Sequence, residues 1–511
     1  MTCPVNKIDS NATGLAYAEE ECLKTLPTTP TWRELEPNSY SDFGGEITTV
    51  AREPIDPSRQ RQKGTITDLE ASGGFNTDVT NGNTDRLMQG FMFADAHEKE
   101  STDPINGDTI QTDSINGTTD AYTSVADDYG SFPLYSLVMA TGMKLDANNG
   151  LSRVTGLPGA TLVVDKDLTE DSTVQTDGEI KVVGLEFPED DLDITVTSSS
   201  VILGSTTTAF TTLGLNVGEW IFVGGDSAAH RFATNAPGYA RIKSIAANEL
   251  AIEETTWTPV TETGTGLDIQ IFFGTFIRNE SAAADIVRRS YQFERTLGSD
   301  ADGVQSEYII GAVANEFTLN VPSADKVNAD LGFIALDSET RDGATGVKSG
   351  TRSSADVGKA AFNTSSDIYR LRLANVVEGE VNSSELVAFV TEASITIGNN
   401  VTPTKAIGTL GGFDSTAGNF EVGGSITAYF ATVAAIAAIR NNADVQFNLI
   451  AAQDNGGIVY DIPRMTLGGG RLTVEKDSPI MIPLENIAIE SDLGFTLGLT
   501  SFAYLPDVAM P

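Results

Sequence analysis

Residues 46–93 read EITTVAREPIDPSRQRQKGTITDLEASGGFNTDVTNGNTDRLMQGFMF. EITTV alternates with period two, AREPIDPSRQRQK breaks the pattern, and GTITDLEASGGFNTDVT resumes it, which predicts a long strand hairpin. TDRLMQGFMF then shifts to a helical period, with Leu87, Met88 and Phe91 on one face. A helix this short needs a sheet beneath it to be stable.

The same grammar returns at residues 394–439: SITIGNNV, TPTKAI, GTLGGFDSTAGNFEVGGSIT and a helical TVAAIAAI, with Val433, Ile436 and Ile439 on its apolar face. Gly64 precedes Phe75 by eleven residues and Gly408 precedes Phe420 by twelve. After the second helix come three strand patterns, around Val445, Phe447 and Leu449, in GGIVYDIPRMTL, and in SPIMIPLENIAI. Their counterparts after the first helix appear only much later, as SYQFERTL (290–297), EYIIGAVANEFTLNVP (307–322) and VNADLGFIALDSE (327–339).

The simplest account is a tandem duplication whose first copy is interrupted. The expected division is an N-terminal arm at 1–29, a discontinuous first domain at 30–97 and 286–345, an insertion at 98–285, and a second domain at 346–511. The insertion opens with an Asp-, Thr-, Asn- and Gly-rich stretch to about residue 130, read as an extended mobile loop. From about 190 to 277, ITVTSSSVIL, EWIFVGG, GYARIKSI, NELAIEE and LDIQIFFGTFI predict five short strands, a small β-barrel or sandwich. The fold class is therefore mainly β.

The 511 residues carry 32 Lys and Arg against 71 Asp and Glu, a net charge of −39. Nonspecific grip on nucleic acid or an anionic membrane needs clustered cations, so this chain is expected to repel both. A wall that DNA slides past should have this character. The one local basic cluster is Arg52, Arg59, Arg61 and Lys63, expected to meet an acidic patch on a neighbouring copy. Cys3 and Cys22 allow no disulfide framework or four-cysteine zinc site, and no signal-peptide pattern or long apolar run occurs, so synthesis in a cytoplasm is expected.

Catalytic chemistry finds little material, and no catalytic, cofactor-binding or metal residue is assigned. His97 and His230 are far apart in sequence and are read as surface or loop residues. No phosphate-loop, dinucleotide or serine-elbow string is present. Glu189, Asp190, Asp191, Asp193 and DPINGDTIQTDSINGTTD (103–120) supply carboxylates without EF-hand spacing, and solvated loops are the favoured reading over cation binding or glycoside hydrolysis. Trp220, Trp257, Phe222, Phe272 and Phe273 fit a small core better than a sugar platform, and Trp32 is expected to anchor the N-terminal arm.

WRELEPNSYSDFGGEITTVAREPI, RQKGTITDLEASGGFNTDVT, GAVANEFTLNVPSADKVNADLGF, ASITIGNNVTPTKAIGTLGGFDSTAGNFEVGGSITAYFA and NGGIVYDIPRMTLGGGRLTVE together resemble the tail tube proteins of long-tailed, siphovirus-type bacteriophages. The likeness spans about 30–95 and 289–511. It implies two tandem β-sandwich or half-barrel tube domains, each with a short flanking helix and the first carrying the inserted module. In that family, rings of six domains join sheets side by side and stack, so a two-domain chain would complete a ring as a trimer. The implied partners are other copies of the chain, a tape-measure protein, tail tip and terminator proteins, and double-stranded DNA passing unbound. The implied location is the virion tail. A baseplate or decoration module and a glycan-active enzyme are the rival readings.

Overall fold

Long strands dominate because alternating apolar and small polar residues let each strand bury one face while its hydrogen bonds are satisfied sideways. The computed structural model describes residues 13–511 apart from 56, 157, 198, 199, 301, 302, 356, 378, 388 and 473. In chain order the principal elements are β1 (Gly14–Glu19), β2 (Thr31–Leu35), β3 (Pro37–Arg52), β4 (Gln62–Asp78), α1 (Asp85–Met92), β5 (Tyr291–Asp300), β6 (Gly303–Pro322), β7 (Asn328–Ala335) and β8 (Asp337–Arg341). They continue with β9 (Ile368–Asn375), β10 (Val390–Gly398), β11 (Glu421–Tyr429), α2 (Ala434–Arg440), β12 (Val445–Gln453), β13 (Gly456–Gly469), β14 (Met481–Ala488) and β15 (Gly498–Phe502). The chain is mainly β.

Two compact units form. The first comprises the described residues up to Phe93, Ile286–Ala361 and Glu392–Ile426; the second comprises Ala94–Asp285, Phe362–Thr391 and Thr427–Pro511. This grouping departs from the order of the sequence because β10 pairs antiparallel with β6, Glu316 opposite Gly398 and Pro322 opposite Glu392, which draws 392–426 into the first unit.

In the first unit the strands run β2, β1, β5, β6, β7, β4, β3, each antiparallel to the next. Along β6, β8 prolongs the edge held by β7, and β10 prolongs the edge held by β5. Helix α1 seals one face. Leu87, Met88 and Phe91 are buried as the helical period requires, and the chain leaves α1 through Phe93 in the left-handed region, φ 50°, its N–H bonded to Gln89 O. Phe91 meets Phe317 and Phe333 at 5.6 and 5.3 Å between ring centroids, while Phe75 and Phe293 flank Phe333 at 6.3 and 4.6 Å. Full burial of each ring contributes roughly 1.5–3 kcal/mol.

The expected N-terminal arm is a strand from Gly14 onward. β1 lies between β2 and β5, and Trp32, fully buried against Ala16, Ala18 and Tyr308, fastens it. Apolar alternation in GLAYAE is the cause: Leu15 and Tyr17 are buried between neighbouring strands. Residues 1–12 of that arm, with Cys3, lie outside the described residues.

In the second unit β15, β13, β12 and β9 pair antiparallel in that order, and β14 takes the edge of β13 beyond β15. The anticipated buried face of α2 is corrected: Ala435 and Ala438 are buried, whereas Val433 is 68% exposed. Small side chains let so short a helix lie close to β13, and close approach outweighs apolar size.

The inserted module is larger than the five expected strands. One ten-stranded antiparallel sheet runs from Glu262–Thr263 at one edge through Leu192–Val196, Val201–Ser205, Glu249–Thr255, Gly238–Ile245, Trp220–Val223, Gln270–Phe273, Glu179–Glu186 and Ser136–Thr141 to Gly150–Arg153. One face closes over a core that includes Val138, Val182, Ile242 and Ile271, and the stretch expected as a mobile loop contributes Ile115, Tyr122 and Tyr129 to it. Those apolar side chains, spaced among turn-forming polar residues, hold that segment down. The other face, with Trp220, Phe222, Tyr239 and Phe272, packs on Ile450, Val459 and Phe502 of β12, β13 and β15.

Candidate tube-wall surface

The face of the first unit opposite the aromatic core is built by the period of β4. Leu69, Ala71, Phe75 and Thr77 point inward and are buried, so Asp68, Glu70, Ser72, Asn76 and Asp78 point the other way. Register carries the pattern across the sheet. Asn76 stands opposite Ser39 on β3 and Asp330 on β7, Asp330 opposite Thr318 on β6, and Thr318 opposite Thr396 on β10. The outcome is a broad surface of Asn, Ser, Thr, Gly and carboxylates.

Asparagines tie these strands together. Asn38 Nδ2 donates to Asn76 Oδ1 at 3.0 Å and to Asp78 Oδ1 at 2.6 Å. Asn76 Nδ2 donates to Asn328 Oδ1 at 3.0 Å and to Asp330 Oδ1 at 2.8 Å. Asn320 Nδ2 donates to the same two residues at 3.1 and 2.9 Å. Further along, Ser394 and Ser425 hydroxyls lie 3.0 Å apart. Each of these amides donates to one carboxylate and one asparagine oxygen, which lowers the repulsion that a purely acidic face would suffer. The sequence pattern held the signal for this ladder, but pairing Asn76 with Asn328 needs a register between strands some 250 residues apart.

Carboxylates on the face include Glu46, Asp68, Glu70, Asp78, Glu316, Asp330 and Glu392. Among the described residues two lysines pair with these carboxylates: Lys326 Nζ is 2.6 Å from Asp78, and Lys405 Nζ is 2.5 Å from Asp68 and 3.4 Å from Glu70. The Lys405 hydrogen bond holds the Asp68 carboxyl below the usual carboxylate range, and Asp68 in turn raises Lys405.

The basic cluster singled out in the sequence sits at the end of the β3/β4 hairpin. Arg52 and Lys63 lie in the strands and Arg59 and Arg61 in the connection, where Arg59 adopts φ 58°; all four are exposed. Ile47, Val50 and Ile66 in the same outer part are about half exposed, at 53, 56 and 53%, and Ile55 is fully so. Two strands exposed on both faces are marginal in water without something to pack on.

The remaining residues picked from the sequence are structural. His97 Nε2 pairs with Glu280 at 2.7 Å, and His230 Nδ1 lies 3.1 Å from Asp268 O; each is partly buried rather than free on the surface. Asp191 accepts from Ser205, Thr206 and Thr207. Burial alone would raise its carboxyl, and these bonds together hold it below the usual range. Asp193 and Asp190 accept from Gly264 and Gly266 N–H, and in the 103–120 stretch Asp113 and Asp120 accept from Val125 and Leu168 N–H. Trp220, Trp257, Phe222, Phe272 and Phe273 are core. Among the described residues no group of three His, Cys, Asp or Glu could hold a metal ion. No described helix is long and apolar enough to cross a membrane.

No curated protein matches the chain. A family model does: that of the phage tail tube protein matches residues 10–488, running through the inserted module as well as the strands on either side. With nearly the whole length matched, the chain belongs to the phage tail tube protein family, structural proteins of the virion tail that assemble into its tube.

Proposed function

We propose that three copies close a ring holding six tube domains, that rings stack helically into the tail tube of a siphovirus-type phage, and that the finished lumen conducts the genome into the host. The observation that carries this is the polar face of β3, β4, β7, β6 and β10. It offers passing DNA carboxylates, hydroxyls and amides, with its lysines held by Asp78, Asp68 and Glu70. Phosphate retention requires available cations, so double-stranded DNA slides past this surface unbound.

Six domains from three chains require two equivalent domains per chain, and the strand patterns favour that. β1, β5, β6 and β7 follow one another by antiparallel pairing, as do β9, β12, β13 and β14. Val79 N–H donates to Val327 O at 3.0 Å just before α1, and Phe430 N–H to Ile480 O at 3.0 Å just before α2. The equivalence of Phe75 and Phe420 suggested by spacing does not survive: Phe75 lies within β4, and Phe420 precedes β11. Counting from these two bonds favours Ile426 as the counterpart of Phe75 instead.

Stacking uses the hairpin ends. Arg52, Arg59, Arg61 and Lys63, the local positive patch of a chain with net charge −39, reach an acidic surface of the next ring and align it. Assembly on a tape-measure protein, with tip and terminator proteins at the ends and synthesis in the host cytoplasm, completes the proposal. Electron microscopy of the purified protein or the intact particle tests it: threefold rings with six similar densities are expected. Discrete oligomers that never stack point to a baseplate or decoration module and overturn it.

A further inference from the structure

Strand register matches positions of one strand pattern to positions of the other. Tyr291 pairs with Ala312 and Phe293 with Ile309 across a bulge, as Val445 pairs with Met465 and Phe447 with Ile462. Phe293 also faces Tyr17, and Phe447 faces Leu373, so the chain entering β1 corresponds to the chain entering β9. The bonds Val79 to Val327 and Phe430 to Ile480 fix the ends next to the helices.

The segment 358–361, which leads into the second pattern, runs alongside the end of the first. Gly358 N–H donates to Glu36 Oε2 at 2.9 Å, just before β3, and Lys359 Nζ donates to Asn81 O at 3.0 Å. Ala361 forms an antiparallel bridge with Thr80, and Lys359 Nζ lies 3.6 Å from the place of a Cβ on Gly82. Val79 and Val327 are buried there. The matching positions of the second pattern carry large apolar side chains in the open. Ile480, in the place of Val327, is 37% exposed, and Val433, in the place of Gly82, is 68% exposed. Phe389, whose carbonyl accepts from Tyr429 N–H in the place of the start of β3, is 70% exposed, and Tyr429 itself 42%. Neighbouring exposed apolar groups of this size mark a surface that is covered in the working assembly.

We infer that residues 2–6 of a second copy cover this patch, as 358–361 cover the end of the first domain. Position names the occupant: Ala361 precedes Ile368 by seven residues, and Asn6 precedes Thr13 by seven. Composition agrees. In the first domain a lysine meets a glycine and a backbone carbonyl, whereas Cys3, Pro4 and Val5 would meet Phe389, Val433 and Ile480, apolar against apolar. This rests on the ring reading, because a ring that alternates the two domains lays the stretch before β1 of each copy on the second domain of its neighbour. The outward Val433 of α2 then becomes a contact between copies.

Cys3 is a natural reporter, since a disulfide forms only where Cβ atoms approach closely. In a chain carrying Cys22→Ser, Val433→Cys, or Phe389→Cys for a segment shifted along by a residue, should link to Cys3 of the next copy when assembled rings are oxidised. Covalent dimers and trimers are expected, and adding Cys3→Ser should abolish them. Thr80→Cys with Ala361→Cys, in a chain with Cys3→Ser and Cys22→Ser, should link within the chain and shows that oxidation reaches the equivalent site. Removing residues 2–6 should leave the free chain folded, with an unchanged melting temperature, and lower the yield of rings. Rings that form, and link in the internal control, yet give no product between copies with either cysteine overturn the cover and leave the ring reading standing. A link confined to one chain overturns the cover as well. Absence of rings from the unsubstituted protein overturns both.

Discussion

Lys405 places its ammonium 2.5 Å from Asp68 and so ties the loop after β10 to the outward face of β4. The pair is exposed, and its attraction is screened by salt. Lys405→Glu should leave the melting temperature nearly unchanged but accelerate amide exchange across 405–413, most at low salt. The depressed Asp68 carboxyl gives a sign: the tie is complete above the ordinary carboxylate range and fades as pH falls through the lowered value. Protection in that loop, taken relative to the intrinsic exchange rate at each pH, that stays constant between pH 2 and 5 would contradict it.

Charge reversal at the first hairpin has the opposite profile. Arg59→Glu with Arg61→Glu alters exposed side chains, so the isolated chain should keep its stability within about 0.5 kcal/mol per site. Stacking should suffer. Sedimentation and electron microscopy should show shorter tubes or single rings, with a weaker salt dependence of assembly. Normal tube lengths would remove these residues from the interface.

Much of this was legible. Leu87, Met88 and Phe91 read as the buried face of α1 because large apolar residues at helical spacing have few other places to go. β3 and β4 were legible because alternation and turn residues are local. Besides the face of α2, three things were not. β1 looked like an arm because a six-residue strand carries too few alternations to stand out. The 103–120 stretch looks mobile because its polar residues outnumber Ile115, yet Asp113 and Asp120 accept from the backbone of Val125 and Leu168 and so tie the segment to chain farther along. The docking of Trp220 and Phe222 on β12 and β13 is a contact between distant segments, and composition says that such residues are buried without saying against what.

That docking surface contains charges. Arg241 donates to both Asp461 oxygens at 2.9 and 3.0 Å and to Gln446 at 2.8 Å, and Gln446 donates to Glu254, which Arg370 and Arg372 also bind. Burial pushes Asp461 up even with Arg241 beside it. Arg241→Ala should therefore destabilise by about 3–5 kcal/mol, since it strands a buried carboxylate. Adding Asp461→Asn should recover part of the loss in a denaturant titration. A cost below about 1 kcal/mol for the single change would mean that water reaches the site.

Excision of residues 190–277 should fail for a related reason. The cut removes seven contiguous strands of the ten-stranded sheet, Glu179–Glu186 loses its neighbour Gln270–Phe273, and Ile450, Val459 and Phe502 lose the cover of Trp220, Phe222, Tyr239 and Phe272. Aggregated or protease-sensitive product is expected. A soluble, cooperatively melting remainder would show that the module is dispensable to the second unit.

Glu316 tests the lumen directly. It is exposed on the outward face of β6, opposite Gly332 on one side and Gly398 on the other, so a lysine there meets no packing obstacle. Glu316→Lys should assemble yet place a cation in every ring along the wall. Each phosphate then engaged adds roughly one counterion released, so DNA binding by tubes should appear and fall steeply with salt, and genome release should slow. Glu316→Gln removes the same negative charge without supplying a donor cation, and should change release far less. Were the two variants to behave alike, repulsion rather than the absence of cations would govern passage; were neither to alter it, this face would not line the channel.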